Sequence, residues 1–376
     1  MKINIARQDL LDAVNKVKTV VSPKSALPIL SHILLEAKDN TVRLSVTDLK
    51  VSIECTIDCT VDKPGSMTVS CQRLASILAE LPDADISLSL GKNSVVELSC
   101  GKIQTKLFSM SPEEFPPIRN FDGVEPIVLS QSQLKGLFNK TSFAICTDQA
   151  RYNLTGLLFE LAGGSLTAVS TDGRRMSLAS ESGVPDGIEL KVIIPGKMIH
   201  ELERLLSGDD EMEVFIDEAQ AAFVLGSTRL VTALIEGNFP NYDSVIPSKH
   251  EKEVIMDSAI FNEAMRRTRT MTNDKFNSVR VSIEAGLMTL RVVTPEVGEY
   301  REELGVSYEG EAIEIAFNPE FVLDVLRHID TDKIMLSLKD AMSPGLFTPV
   351  SEENTDGSRY LNVVMPIRIE TAVGAA

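Results

Sequence analysis

Four histidines, five cysteines and two short carboxylate runs are the residues of this 376-residue chain that could do covalent or metal chemistry. His32, His200, His250 and His328 are scattered, with no His or Cys at ligand spacing, whereas a zinc site needs several such side chains converging. Cys55, Cys59, Cys71, Cys100 and Cys146 are odd in number and contain no Cys-x-x-Cys pair, the pattern of buried reduced thiols. Asp209-Asp210-Glu211 and Glu352-Glu353 are acidic runs of the kind that lies on solvated loops, and a divalent cation would need further oxygens from elsewhere. There is no Gly-x-x-x-x-Gly-Lys-Ser/Thr loop, no His-Glu-x-x-His and no Gly-x-Ser-x-Gly. The sequence predicts no catalytic residue, no metal site and no cofactor. An enzyme would require carboxylates converging from separate parts of the chain, and that reading stands as the alternative to a binding protein.

One turn stands out because the chain repeats it. In Thr167-Ala-Val-Ser-Thr-Asp-Gly-Arg-Arg-Met-Ser-Leu178 an apolar run gives way to Thr171-Asp172-Gly173 and then returns, and Asp-Gly between two such runs predicts a hairpin. The chain contains this stretch again. Thr47-Asp48 lies 124 residues before Thr171-Asp172, and Thr294-Pro295-Glu296 holds the place 123 residues after Thr171. The pairs Phe115-Pro116 and Phe239-Pro240 repeat at the same 124-residue interval, with Met365-Pro366 in the third position.

A period of this length is too long for a solenoid unit and predicts three tandem α+β domains. Their expected bounds are 1–123, 124–250 and 251–369, with a tail at 370–376. Each copy offers two helices. Leu10, Leu11, Val14 and Val17 give the first stripe, and Leu74, Ile77, Leu78 and Leu81 the second, with Ser70 as cap and Pro82 as stop. In copy two the stripes are Leu134, Leu137 and Phe138, then Met198, Ile199, Leu202, Leu205 and Leu206. In copy three they are Phe261 and Met265, then Val322, Val325, Leu326 and Ile329 behind an Asn318-Pro319 cap. Strands are predicted around them, among them residues 29–36, 42–46, 51–60, 154–161 and a closing strand over 360–369.

Hydrophobic residues make up 43% of the chain, no apolar run reaches the roughly 18 residues of a membrane span, and the N-terminus alternates in strand fashion. A soluble, cytoplasmic protein is expected. The net charge of −17 argues against nucleic acid unless it is unevenly spread. It is uneven: the six predicted helices hold 12 Lys/Arg against 9 Asp/Glu, so they are net +3 and the remainder is −20. Lys16 and Lys18, Lys135 and Lys140, and Arg266, Arg267 and Arg269 fall on the first helix of each copy or just after it. A diffuse basic helical surface on an acidic protein suits sliding along phosphates better than reading bases.

Three α+β copies in an acidic chain, with Leu27-Pro-Ile-Leu30, Thr171-Asp-Gly-x-Arg175, Phe239-Pro-x-Tyr242, Phe317-Asn318, Val322-Leu-Asp-Val-Leu326 and the closing Met365-Pro-x-Arg368, strongly resemble the bacterial DNA polymerase III beta subunit family of sliding clamps. The resemblance covers residues 1–369. It implies three DNA-clamp domains, a head-to-tail homodimer closed into a ring, and duplex DNA threaded through it. It implies as partners the DNA polymerase III catalytic subunit, the clamp loader and other proteins carrying a short apolar clamp-binding motif. The rival binding-module reading is a peptide-binding scaffold that never encircles DNA.

By the same resemblance, a peptide-binding pocket at the junction of copies two and three would take Leu154, Thr171, Gly173, Arg175, Met176, Pro240 and Val245 from one side. Asn318, Phe321, Val363, Val364, Met365, Pro366 and Arg368 would form the other. DNA contacts would fall on Lys24, Arg73 and Lys197, with the loop 148–152 and its Tyr152 nearby. The subunit interface would pair Phe108 and Met110 of one chain with Met271 of the other. Two features depart from the family pattern: the tail 370–376 beyond Met-Pro-x-Arg, and an enlarged loop over 341–359 rich in Pro, Ser and acidic residues. The turns at Asp48 and Pro295 lack Gly-x-Arg and are expected to be structural only.

Overall fold

A computed structural model describes residues 1–21, 26–184, 187–246, 251–350 and 358–368. The six apolar stripes become α1 (Arg7–Val17), α2 (Cys71–Glu80), α3 (Gln131–Thr141), α4 (Gly196–Leu205), α5 (Ser258–Thr270) and α6 (Pro319–Leu326). Asn318 caps α6 as expected, its side-chain oxygen accepting from the Glu320 amide at 2.9 Å. Ser70 occupies the cap position of α2, but its hydroxyl makes no capping bond.

The chain divides into two compact units, residues 1–134 with 200–234, and residues 135–199 with 235–376. Copy two is therefore shared between them. Among the described residues of the first unit, an eight-stranded antiparallel sheet runs Ile127–Ser130, Glu211–Ile216, Gln220–Leu225, Thr228–Ala233, Val51–Asp58, Thr41–Thr47, His32–Lys38, Gly65–Ser70. Its seam pairs Arg229 of copy two with Glu54 of copy one. The second unit repeats the design with Leu190–Pro195, Gly156–Ala162, Ser165–Thr171, Arg175–Ser182, Arg359–Val364, Gly345–Val350, Lys333–Leu338 and Lys252–Asp257. Here the seam pairs Met176 with Val363 and Leu178 with Leu361. The repeats are thus fused by main-chain hydrogen bonds, which satisfy strand edges that separate domains would leave open.

Each unit also has a smaller sheet, whose edges include Ile103–Phe108 in the first unit and Gly298–Gly305 in the second. In the second unit α5 and α6 bury Phe261, Met265, Val322 and Val325 in one core with Phe347 and Val364.

Several strand limits differ from expectation for local reasons. Residues Pro28–Ser31 form a 3₁₀ turn instead of strand, started by Pro28, whose fixed φ suits the first helical position. Gln149–Leu154 is likewise a 3₁₀ turn, capped by Asp148, and the strand begins only at Gly156. The closing strand stops at Val364, before Pro366, which has no amide to offer a ladder. Among the described residues, no helix is long and apolar enough to cross a membrane.

Candidate functional site

The hairpin at Thr171 forms as its sequence predicts, and its geometry is set by short polar side chains. The Thr171 hydroxyl accepts from the Gly173 amide at 3.0 Å and donates to the Arg175 carbonyl at 2.6 Å. Asp172 accepts from the amides of Arg174 and Arg175 at 2.9 and 3.0 Å. Gly173 sits at φ +81°, a left-handed conformation that costs an L side chain roughly 1–2 kcal/mol.

Antiparallel pairing then brings predicted site residues to one margin of the sheet. Leu158 faces Val169, Thr171 faces Met176, and Arg175 faces Val364. The start of Gly156–Ala162, the hairpin turn and the end of the closing strand therefore lie together, and Leu154 stands just before the first of these. Beyond the ladder, the Met365 amide donates to the Arg174 carbonyl and the Ile367 amide to the Ala316 carbonyl, both at 2.8 Å. This runs residues 365–368 past the start of α6, where Asn318 and Phe321 lie.

Strand alternation separates two of the predicted residues. Val363 shares a face with Met176, Leu178, Leu346 and Leu361, onto which Phe239, Tyr242 and Ile246 of the inter-copy connector pack. Val364 points to the opposite face, into the core beneath α5 and α6. Buried apolar side chains of this kind contribute roughly 1.5–3 kcal/mol each. Met365 remains 38% exposed and Val245 39%, so apolar surface stays open at the margin. Pro240 is exposed on the connector, as is Arg368 on the closing segment, and Pro366 is half-buried. The connector is tied down by Tyr242, whose hydroxyl donates to Glu160 at 3.0 Å, and burial followed by that hydrogen bond pushes its phenol up to about 12.

Arg175 has a different environment from a free ligand-binding cation. Its guanidinium donates to Asp172 at 3.1 Å, to the Phe143 carbonyl at 2.8 Å and to Asp324 of α6. It also lies 4.7 Å from the centre of the Phe321 ring, a cation–π contact. Arg175 thus bolts the hairpin of copy two to α6 of copy three. Asp324 was not singled out from the sequence. Its signal was present: a carboxylate inside the otherwise apolar run Val322-Leu-Asp-Val-Leu326 needs a partner.

The equivalent place in the first unit has the same turn and a different floor. Thr47 accepts from the Leu49 amide at 3.0 Å, and Asp48 accepts from the amides of Lys50 and Val51 at 2.9 and 2.7 Å. The Ala233 amide donates to the Lys50 carbonyl at 3.2 Å, as Met365 does to Arg174. Yet where the second unit pairs Leu178 with Leu361, the first pairs Glu54 with Arg229, and the two side chains form a 2.8 Å ion pair. Ser52 stands where Met176 stands. The seam of the second unit thus has an apolar floor, and that of the first an ion pair at the matching place.

The predicted DNA contacts are separately placed. Arg73 is exposed in the first turn of α2. Tyr152 is 49% exposed on the 3₁₀ turn Gln149–Leu154. Lys197 is exposed in the first turn of α4, whose Gly196 amide donates to the Thr155 carbonyl at 3.0 Å, beside that turn. Lys24, the tail 370–376 and residues 351–357 of the enlarged loop lie outside the described residues. Of the predicted interface residues, Phe108 is 85% exposed at the end of an edge strand, Met110 is half-buried, and Met271 packs within 3.7 Å of where a side chain on Gly298 would begin. Phe276, 44% exposed, is a further apolar surface residue near Met271 in sequence. Among the described residues, no group of three His, Cys, Asp or Glu side chains could hold a metal ion.

Known proteins share this whole arrangement. Residues 1–119 match the N-terminal domain of the DNA polymerase III beta subunit, residues 128–241 its central domain and residues 243–368 its C-terminal domain. The chain is 35% identical to the beta sliding clamp of Caulobacter vibrioides over 379 residues, covering 98% of this chain and 100% of that one. It is 32% identical to that of Chlamydia muridarum over 370 residues, covering 98% and 99%. The crystal structure of the Pseudomonas aeruginosa DNA polymerase III subunit beta superposes with a TM-score of 0.92 at 32% identity, covering 98% of this chain and 100% of that one. The Pseudomonas aeruginosa and Bartonella birtlesii clamps have also been crystallised bound to griselimycin, with TM-scores of 0.91 and 0.92, identities of 32% and 31%, and coverage of 98% of this chain and 100% of each. With all three domains matched in order along nearly its full length, the chain belongs to the DNA polymerase III beta subunit family, the bacterial sliding clamps.

Proposed function

We propose that this protein is a DNA sliding clamp: it closes as a homodimeric ring around duplex DNA and tethers the replicative polymerase, giving it processivity. The observation that carries the reading is the tandem order of three clamp domains in one chain. Two such chains joined head to tail through heterologous contacts would close a six-domain ring. Duplex DNA would be held by topology, so weak phosphate contacts suffice and sliding stays fast. Lys24, Arg73, Tyr152 and Lys197 are the side chains proposed to touch it. The edge strands Ile103–Phe108 and Gly298–Gly305 are proposed to meet across the subunit interface, with Phe108 and Met110 against Met271. The protein acts in the cytoplasm and performs no chemistry of its own.

Partners would dock at the margin formed by Leu154, the Thr171–Arg175 turn, Met176, Val363 and Met365, with Pro240, Val245, Asn318 and Phe321 around it. A short apolar peptide fits there: anchors enter the apolar floor and a few polar groups orient its backbone. The polymerase catalytic subunit, the clamp loader and other motif-bearing proteins would share the site. Deleting residues 365–368 should abolish binding of griselimycin, measured by titration calorimetry, and leave the dimer intact by light scattering. Unchanged binding would refute the site.

A further inference from the structure

Asp324, on the last turn of α6, uses both of its carboxylate oxygens. Oδ1 accepts from Arg327 Nη1 at 2.7 Å, and Oδ2 accepts from Arg175 Nη1. The Arg175 side chain is 12% exposed and that of Asp324 23%, so the pair is largely shielded from water. The Phe143 ring, 5.5 Å from the Arg175 guanidinium, is stacked on His328 at 4.6 Å, and His328 Nδ1 donates to the Asp324 main-chain carbonyl at 2.7 Å. From Arg175 the hydrogen bonds continue into the hairpin. Asp172 Oδ2 accepts from Arg175 Nε, its Oδ1 accepts from the amides of Arg174 and Arg175, and the Arg174 carbonyl accepts from the Met365 amide. A run of polar contacts thus leads from α6 to the corner of the turn and to Met365.

The same helical place in copy two holds Glu201, the sixth residue of α4 as Asp324 is the sixth of α6. Each is followed three residues on by an arginine, Arg204 and Arg327. Glu201 accepts from Arg204 at 2.8 Å and from the Thr19 hydroxyl at 2.6 Å, which ties α4 back to copy one. Both carboxylates therefore join a helix to the copy before it. Thr19 follows a helix, whereas the partner of Asp324 belongs to the hairpin.

We infer that Asp324 is a positioning residue for the peptide margin: it holds Arg175, and through Arg175 the Thr171–Arg175 turn, without touching the ligand. This rests on the peptide site proposed above. The charge of Arg175 is already answered by Asp172 and Asp324, so its guanidinium serves as a strut inside the protein and not as a hand offered to a peptide. Removing one carboxylate leaves a shielded cation short of a partner, which is costly, and the turn loses its tie to α6. A site whose walls are fixed before the ligand arrives pays less to order them on binding.

The test titrates griselimycin into the full-length protein and its variants. Asp324→Asn should weaken binding about five- to tenfold, as a charge-assisted hydrogen bond of the support becomes a neutral one. Asp324→Glu keeps the charge and should recover part of the loss. Arg175→Met should weaken binding at least as much as Asp324→Asn, and combining the two should add little, because both act through one contact. Glu201→Gln removes the equivalent support in the first unit. It should lower thermal stability yet leave griselimycin affinity at the wild-type level, which tells positioning from general loosening. Wild-type affinity in Asp324→Asn, losses that multiply in the double variant, or an equal loss in Glu201→Gln would each overturn the inference. The 365–368 deletion separates the two levels: if it binds griselimycin normally, the pocket reading falls and the positioning role with it. If it does not bind while Asp324→Asn behaves as wild type, only the positioning role falls.

Discussion

Thr47-Asp48-Leu49 and Thr171-Asp172-Gly173 fold into the same turn from different third residues. Leu49 holds φ +75° and Gly173 φ +81°, with Glu296 at φ +67° in the third copy. A left-handed leucine costs roughly 1–2 kcal/mol, against a glycine penalty in the unfolded chain of roughly 0.5–1 kcal/mol. Leu49→Gly should therefore leave the thermal unfolding of the first unit unchanged or raise its stability by up to about 1 kcal/mol. Gly173→Leu should do the reverse in the second unit and weaken griselimycin binding as well, because its Cβ would press on Arg151. Calorimetric scans of the two variants check both, and a stabilised Gly173→Leu would contradict this account. The turn was legible because Thr, Asp and Gly act on their own backbone. The role of Arg175 was not, because Asp324, Phe321 and the Phe143 carbonyl are brought to it only by tertiary packing.

At the scale of elements, all six helices were readable from apolar spacing and from boundary signals such as the stop at Pro82 and the start at Asn318-Pro319. The strands were less so. Gly65–Ser70 and Leu190–Pro195 carry only short apolar runs behind the turn signals Pro64-Gly65 and Pro185-Asp186-Gly187, and the fusion of copies into shared sheets depends on pairings more than 150 residues apart. One element is held by charge. The edge strand Gly298–Gly305 is tied to α5 by Arg267, which donates to Glu302 at 3.1 and 2.7 Å, while the Tyr300 hydroxyl donates to the same carboxylate. The hydrogen bond from Arg267 holds the Glu302 carboxyl below its ordinary value of 4.5. A depressed carboxylate stabilises the fold fully above its unfolded pKa and loses that contribution as pH falls through the folded one. Wild type should thus exceed Glu302→Gln in melting temperature at pH 6, with the gap closing below about pH 4.5. A gap independent of pH would show that Glu302 acts by packing alone.

At the scale of the whole molecule, the net charge of −17 pointed away from DNA until it was resolved by element. Some helical cations prove to be locally paired: Lys140 with Glu181, Arg267 with Glu302 and Arg269 with Glu320. Lys16, Lys18 and Arg73 stay exposed, which fits weak contacts to a threaded duplex better than a tight grip. Phe108, 85% exposed on an edge strand, is the residue the ring would bury. Phe108→Glu should weaken the dimer at least about 100-fold, since burying such a side chain is worth roughly 1.5–3 kcal/mol and a ring has two interfaces. Light scattering across a dilution series reads this directly, and an unaffected dimer would move the interface elsewhere. Threading is a topological property, so cutting the DNA tests it. The protein is loaded by a clamp loader onto nicked circular DNA, isolated by gel filtration, and the circle is then cut once. The account predicts that the protein stays with the circle through high salt and leaves on linearisation. Retention on the cut DNA, or loss from the intact circle at the same rate, would contradict it.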